Sequence, residues 1–134
     1  MVASPADRVI ARALGGVVMA SDTASGAVSY DDHGVRFVFV PPAQDGAAYA
    51  LDVECRSTPV PASLAAHFGL SDTAFFESWT RLEVIAKLTE VPIFQLVKEG
   101  LADHMAVKAI EILRADTPTH WIAIGKCPNP GYRI

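Results

Sequence analysis

Residues 63–88, SLAAHFGLSDTAFFESWTRLEVIAKL, hold three of the six phenylalanines and one of the two tryptophans of the chain. Within them Phe75, Trp79, Leu82 and Ala86 recur at intervals of four, three and four. Phe76, Ile85 and Leu88 widen that stripe, while Thr80, Arg81, Glu83 and Lys87 fall off it. This is the signature of an amphipathic helix, predicted over about 72–90, with a shorter helix near 61–68 before it. Aromatic side chains bury large areas, so a sheet and other helices are expected to pack against this element.

Upstream, the pattern changes to period two. Ala27–Val28–Ser29–Tyr30, the turn formers Asp31–Asp32–His33–Gly34, and Val35–Arg36–Phe37–Val38–Phe39–Val40 read as a β-hairpin. Its second arm is apolar on both faces and is expected to lie centrally. A further strand over residues 48–57 alternates Tyr49, Leu51, Val53 and Cys55 with Ala50, Asp52, Glu54 and Arg56, which predicts one solvated face. Val17–Ala20 is a candidate first strand. Before it, Ser4 is expected to cap a short covering helix begun by Pro5 and Asp7, with Val9, Ile10, Ala13 and Leu14 as its apolar face and Gly15–Gly16 as its stop. Pro59 and Pro61 close the β half. Residues 92–115 are expected to be helical and broken at Gly100, with Leu101, Met105, Ala109 and Ile112 in one row. His120–Gly125 has strand character, and the tail from Lys126 is expected to be irregular. The reading is therefore one domain over 1–134, of class α+β: a small antiparallel sheet of three or four strands packed against C-terminal helices.

A chain of 134 residues can bury a sizeable core without staples. Its two cysteines, Cys55 and Cys127, form no CxxC and suggest neither a disulfide scaffold nor a zinc ribbon. The formal charge of −4 is spread unevenly, with residues 1–60 at −3, 61–90 at −2 and 91–134 at +1. No basic face advertises nucleic acid, and no run is long enough to span a membrane. Arg8 and Arg12 precede an apolar run, but two glycines and Asp7 argue against a signal peptide, so a cytoplasmic location is expected.

Residues 63–82 resemble the helix-turn-helix of AraC-type regulators. Ala65 matches the small residue where the helices touch, Gly69 the turn, and Leu64, Phe68, Leu70 and Phe75 the core positions, while Ser78 departs from the pattern. The resemblance covers about 20 residues and implies that the second helix, capped by Ser71, reads DNA with Ser71, Thr73 and Arg81. The same helix carries Asp72 and Glu77 in a net negative segment, which opposes phosphate binding.

Other groups with chemical potential are scattered. Asp31, Asp32 and His33 have metal-ligating types but suit a solvated turn equally. His67, His104 and His120 lack a second ligand three or four positions away, so a metal site has to be assembled from distant positions. Cys127, beside Lys126 and Pro128, is the cysteine expected to be reactive, and Cys55 a buried small hydrophobe. No nucleophile elbow, P-loop or dinucleotide motif is present, and no cofactor is implied.

These absences favour a small acidic protein that binds a partner protein, as an adaptor, chaperone, immunity protein or inhibitor does. Phe94, Met105, Trp121 and Tyr132 are the expected contact residues, forming an exposed apolar patch. The alternatives are the helix-turn-helix regulator, for which a homodimer is natural, and a small-molecule enzyme. The enzyme needs a pocket between sheet and helices holding at least two of His33, His67, His104, His120, Cys55 and Cys127.

Overall fold

The computed structural model describes residues 7–42, 45–68, 72–99 and 109–128, with backbone alone at 72 and 73. In chain order the elements are β1 (Arg8–Ala13), β2 (Gly16–Ala20), β3 (Ala27–Tyr30), β4 (Arg36–Val40), β5 (Ala48–Cys55), α1 (Ala62–Phe68), α2 (Asp72–Thr89), α3 (Ile93–Lys98), β6 (Glu111–Arg114) and β7 (His120–Cys127). The class is α+β, but the strands form two antiparallel sheets rather than one. Sheet A runs β1-β2-β4-β3 and sheet B runs β5-β7-β6. The helices lie in the middle of the chain, between β5 and β6, and not at its C-terminal end.

The first segment is a strand where a helix was expected. Leu14 and Gly15 both have positive φ, 52° and 75°. That pairing turns a two-residue hairpin and brings Ala13 opposite Gly16. The helical face Val9, Ile10, Ala13 and Leu14 gives way to ladder bonding with β2, in which an irregularity between Val9 and Ala11 lets Ile10, Ala11 and Ala13 all pack on the core. Ser4 and Pro5 lie outside the described residues. The hairpin of β3 and β4 has the expected arms, and β4 is central, between β2 and β3.

The two sheets pack face to face through Val18, Phe37 and Phe39 of sheet A against Leu51, Val53, Ile122 and Ile124 of sheet B, all essentially without exposure. They also meet at a corner, where the Ser29 hydroxyl on edge strand β3 accepts the Val53 amide of edge strand β5 at 3.0 Å. A donor that the ladder leaves open is thereby satisfied.

The opposite face of β5, expected to be solvated, is covered by α2, and Asp52 is only 6% exposed. Helix and sheet approach closely because the face is paved with small residues. Ala50 pairs with Gly125 and Asp52 with Ala123, and Val84 and Leu88 of α2 settle on them. The helix is also rotated from its expected orientation. Thr80, assigned to the polar side, is fully buried between Phe76 and Val84 on the sheet side, whereas Trp79, Leu82 and Ala86 are half-buried. The rotation costs no unpaired hydroxyl, since Thr80 Oγ1 donates to the Phe76 carbonyl at 2.7 Å and accepts from Arg114 at 3.1 Å.

Residues 109–114, expected to be helical, are not: a turn at 109–110 leads into a strand. Residues 100–108, Met105 and His104 among them, lie outside the described residues, and Glu111–Arg114 is strand β6 along β7. Ile112 faces the cluster of Ile85 and Leu96. Strand β7 extends to Cys127, two residues beyond the expected stretch and into what was expected to be irregular tail.

At Gly125 a Cβ would overlap the Val84 side chain and come within 2.8 Å of Leu88 Cδ1. Gly125→Ala is therefore expected to lower stability by about 1–3 kcal/mol through overpacking. Urea unfolding of the two proteins measures this, and an unchanged midpoint would show that α2 does not sit this close.

Candidate functional site

Two places concentrate chemistry: a donor cluster at the corner between the sheets, and an aromatic face on the helices.

At the corner, β5 and β7 pair so that Cys55 stands opposite His120, both pointing toward sheet A. The β3–β4 turn carries Asp31 to the same point. Its Oδ2 lies 3.1 Å from His120 Nε2 and 3.4 Å from Cys55 Sγ. The three ligand atoms all lie within 4.8 Å of one another. Asp31 and Cys55 are buried and His120 nearly so, with the Phe37 ring edge-on to the imidazole at 5.1 Å. The remaining polar atoms are tethered. Asp31 Oδ1 accepts the amides of His33 and Val35 at 2.9 and 3.0 Å, and His120 Nδ1 is 2.8 Å from Thr119 Oγ1. Burial alone would raise the Asp31 pKa, but the Val35 amide, His120, the His33 amide and Cys55 together hold it below the ordinary value. The Cys55 thiol is pushed up, by burial first and then by the neighbouring carboxylates. A thiol held protonated beside an acid, with the carboxylate rather than the imidazole as its nearest partner, is a poor nucleophile.

Of the six side chains from which the enzyme reading needs at least two, Cys55 and His120 thus come together, between the two sheets rather than between sheet and helices. His33 contributes its backbone amide, His67 sits on the helical face, and Cys127 is buried at the end of β7 opposite Ala48 rather than in a loop, so the expected reactivity lacks an accessible thiol. Sequence inspection missed the trio because its members are 24 and 65 positions apart.

Behind the corner, on the α2 side of β5, lies a row of acids. Asp52 is pushed up to about 7, chiefly by burial, which outweighs the Lys87 ammonium 3.7 Å away. Its Oδ2 has no hydrogen-bond partner among the described residues. Glu54 is pushed up to about 9 by burial, by the charge of Asp52 and by a hydrogen bond with Asp32. Asp32 also accepts the Thr58 hydroxyl. The Lys87 ammonium donates to the Leu51 carbonyl at 2.5 Å, so it is anchored to the strand as well.

On the helices, α1 buries none of its seven residues and carries no Asp, Glu, Lys or Arg. Phe94 of α3 is 51% exposed, stacks on Phe68 at 5.9 Å and meets His67 edge-on at 5.4 Å. Beside them Phe68, Phe75, Ser78, Trp79 and Leu82 line a shallow cleft. Of the four expected partner contacts, Phe94 is at this surface. Trp121 is not: it is 9% exposed, stacked on Phe76 and covered by the Arg56 guanidinium 3.8 Å from its ring centroid. The cause is the same seat under α2 that buries Asp52. Met105 and Tyr132 lie outside the described residues. Of the expected DNA contacts, Arg81 is exposed on α2, Ser71 lies outside the described residues, and only the backbone of Thr73 is described.

Compared with known protein families, curated proteins and solved structures, the chain matches none. Among the described residues no helix is long and apolar enough to cross a membrane.

The buried Asp52 gives a pH dependence with a definite sign. Its folded pKa lies above the ordinary 3.8, so the folded state holds a proton that the unfolded chain has released. The associated stability is fully present below the unfolded pKa and is lost as pH rises through about 7. Asp52→Asn is expected to flatten the fall in stability between about pH 4 and 7, and to gain on the order of 1 kcal/mol above that range. Denaturation midpoints across that range check it, and parallel profiles for the two proteins would refute the assignment.

Proposed function

We propose that the protein acts by binding another protein, and that the neutral aromatic face of α1 and α3 receives the apolar side of an amphipathic segment of that partner. The observation that carries this reading is the exposure of Phe94 beside a helix that is uncharged and nowhere fully buried. Surface helices ordinarily face water with charged side chains, whereas the centres of protein interfaces are depleted in charge and enriched in aromatic residues. Val97, one turn beyond Phe94, is 38% exposed and extends the apolar strip. The shallow cleft of Phe68, Trp79 and Leu82 continues this apolar surface, since Phe94 stacks on Phe68.

A different protein suits this face better than a second copy. Each copy carries −4, so self-association brings like charges together, while a neutral or basic partner does not meet that repulsion. DNA reading through residues 63–82 has weaker support, because α1 supplies no cation and the exposed pair on the middle of α2, Glu77 and Arg81, sums to zero.

A photo-crosslinking residue at position 94 identifies the partner, and affinity is then measured with the purified pair. Phe94→Ala is expected to weaken binding by about 2 kcal/mol, roughly 30-fold, without loss of folding. Tyr30→Ala, at a residue 62% exposed on β3, should leave affinity unchanged. Equal affinities for the wild type and Phe94→Ala would overturn the proposal. So would a doubled mass in light scattering that Phe94→Ala restores to the monomer, since that result assigns the face to a second copy.

A further inference from the structure

The corner cluster has the composition and the preparation of a cation site. An imidazole nitrogen, a thiol sulfur and a carboxylate oxygen converge from three separate chain segments. In tetrahedral coordination at about 2.0–2.3 Å, neighbouring donor atoms stand roughly 3.3–3.7 Å apart. The observed 3.1 Å between Asp31 Oδ2 and His120 Nε2, and 3.4 Å between Asp31 Oδ2 and Cys55 Sγ, are within a few tenths of an ångström of that. The third pair, Cys55 Sγ and His120 Nε2, lies within 4.8 Å.

The tethers described above have the form that metal ligands need. The second carboxylate oxygen of Asp31 is held by two amides, and the second nitrogen of His120 by Thr119. Asp31 and His120 thus each have one polar atom fixed and the other turned to the cluster, the arrangement by which outer hydrogen bonds orient metal ligands. Local charge points the same way: Asp31 and Asp32 both stand at this turn, and among the described residues the basic side chain in ion-pair contact with Asp31 is His120 itself.

We infer that Asp31, Cys55 and His120 form a binding site for a zinc-class divalent cation, which ties the β3–β4 turn of sheet A to the facing ends of β5 and β7. The sulfur and imidazole donors select a borderline-soft ion over magnesium or calcium, which prefer all-oxygen shells. Three protein ligands leave a fourth position for solvent, which the 14% exposure of the His120 side chain allows. The role assigned is a staple between sheets, independent of the aromatic face.

Titration of the purified full-length chain with Co²⁺ tests the site, because cobalt adopts zinc geometries and reports its ligands by absorption. One equivalent is expected to bind with a thiolate-to-metal charge-transfer band and the intense visible bands of a tetrahedral ion, and Zn²⁺ should displace it. Cys55→Ser should lose the charge-transfer band. Asp31→Asn and His120→Gln should each weaken uptake by 10-fold or more. Zn²⁺ should also raise the thermal midpoint of the wild type. Absence of one-equivalent uptake by the wild type would overturn the inference, and that reading does not depend on any variant folding. A band that survives Cys55→Ser and disappears in Cys127→Ser would overturn it as well, by placing the ion on the other thiol.

Discussion

Everything else in the structure depends on sheet B being buried on both faces. A three-stranded antiparallel sheet is usually covered on one side and wet on the other, and its strands then alternate apolar and polar residues. Here Leu51, Val53, Ile122 and Ile124 meet sheet A, while Ala50, Ala123 and Gly125 meet α2. The two covers demand different side chains. The inter-sheet side takes large branched residues that fill about 10 Å between sheets, and the helix side takes small ones that let a backbone come close.

That second requirement explains the electrostatics. Once Ala50, Ala123 and Gly125 draw α2 onto the strand, Asp52 is buried and Glu54 half-buried, and both keep their protons to higher pH. Lys87 reaches in from the helix and binds both the Leu51 carbonyl and Asp52, so one ammonium serves the strand backbone and its most buried acid. The same seat hides Trp121, which the Arg56 guanidinium then covers in place of solvent.

What was legible in the sequence follows from these covers. Strand β4, apolar on both faces, reads as central and is central. The aromatic helix reads correctly in extent, because its spacing is a local property. Its rotation does not, because a threonine that returns its hydroxyl to Phe76 is as buriable as a valine, and the hydropathy of its residue type does not record that bond. The solvated face of β5 was misread for a related reason: Ala50, Asp52 and Glu54 look like a wet stripe until α2 is known to lie on them. At the N-terminus, Gly15–Gly16 signals a stop equally well for a helix and for a hairpin. Only the positive φ of Leu14, which no propensity favours, separates the two.

The donor cluster belongs to a class of feature that no local pattern carries. Its members become neighbours through two independent facts of topology. The β5–β7 register sets Cys55 against His120, and the contact of edge strands β3 and β5 sets the Asp31 turn beside them. Shifting that register by one residue would turn His120 toward α2 and Trp121 toward sheet A, since successive strand residues point to opposite faces. The bulk of Trp121 and the smallness of Ala123 and Gly125 make that shift costly on the helix side, while Ile122 and Ile124 make it costly on the other. The packing that holds sheet B between its two covers is therefore also what fixes an imidazole, a thiol and a carboxylate at one point, and the aromatic face on α1 and α3 is set by a separate cluster, Phe75, Phe76 and Trp121 with Leu64 and Phe68, on the outer side of the same sheet.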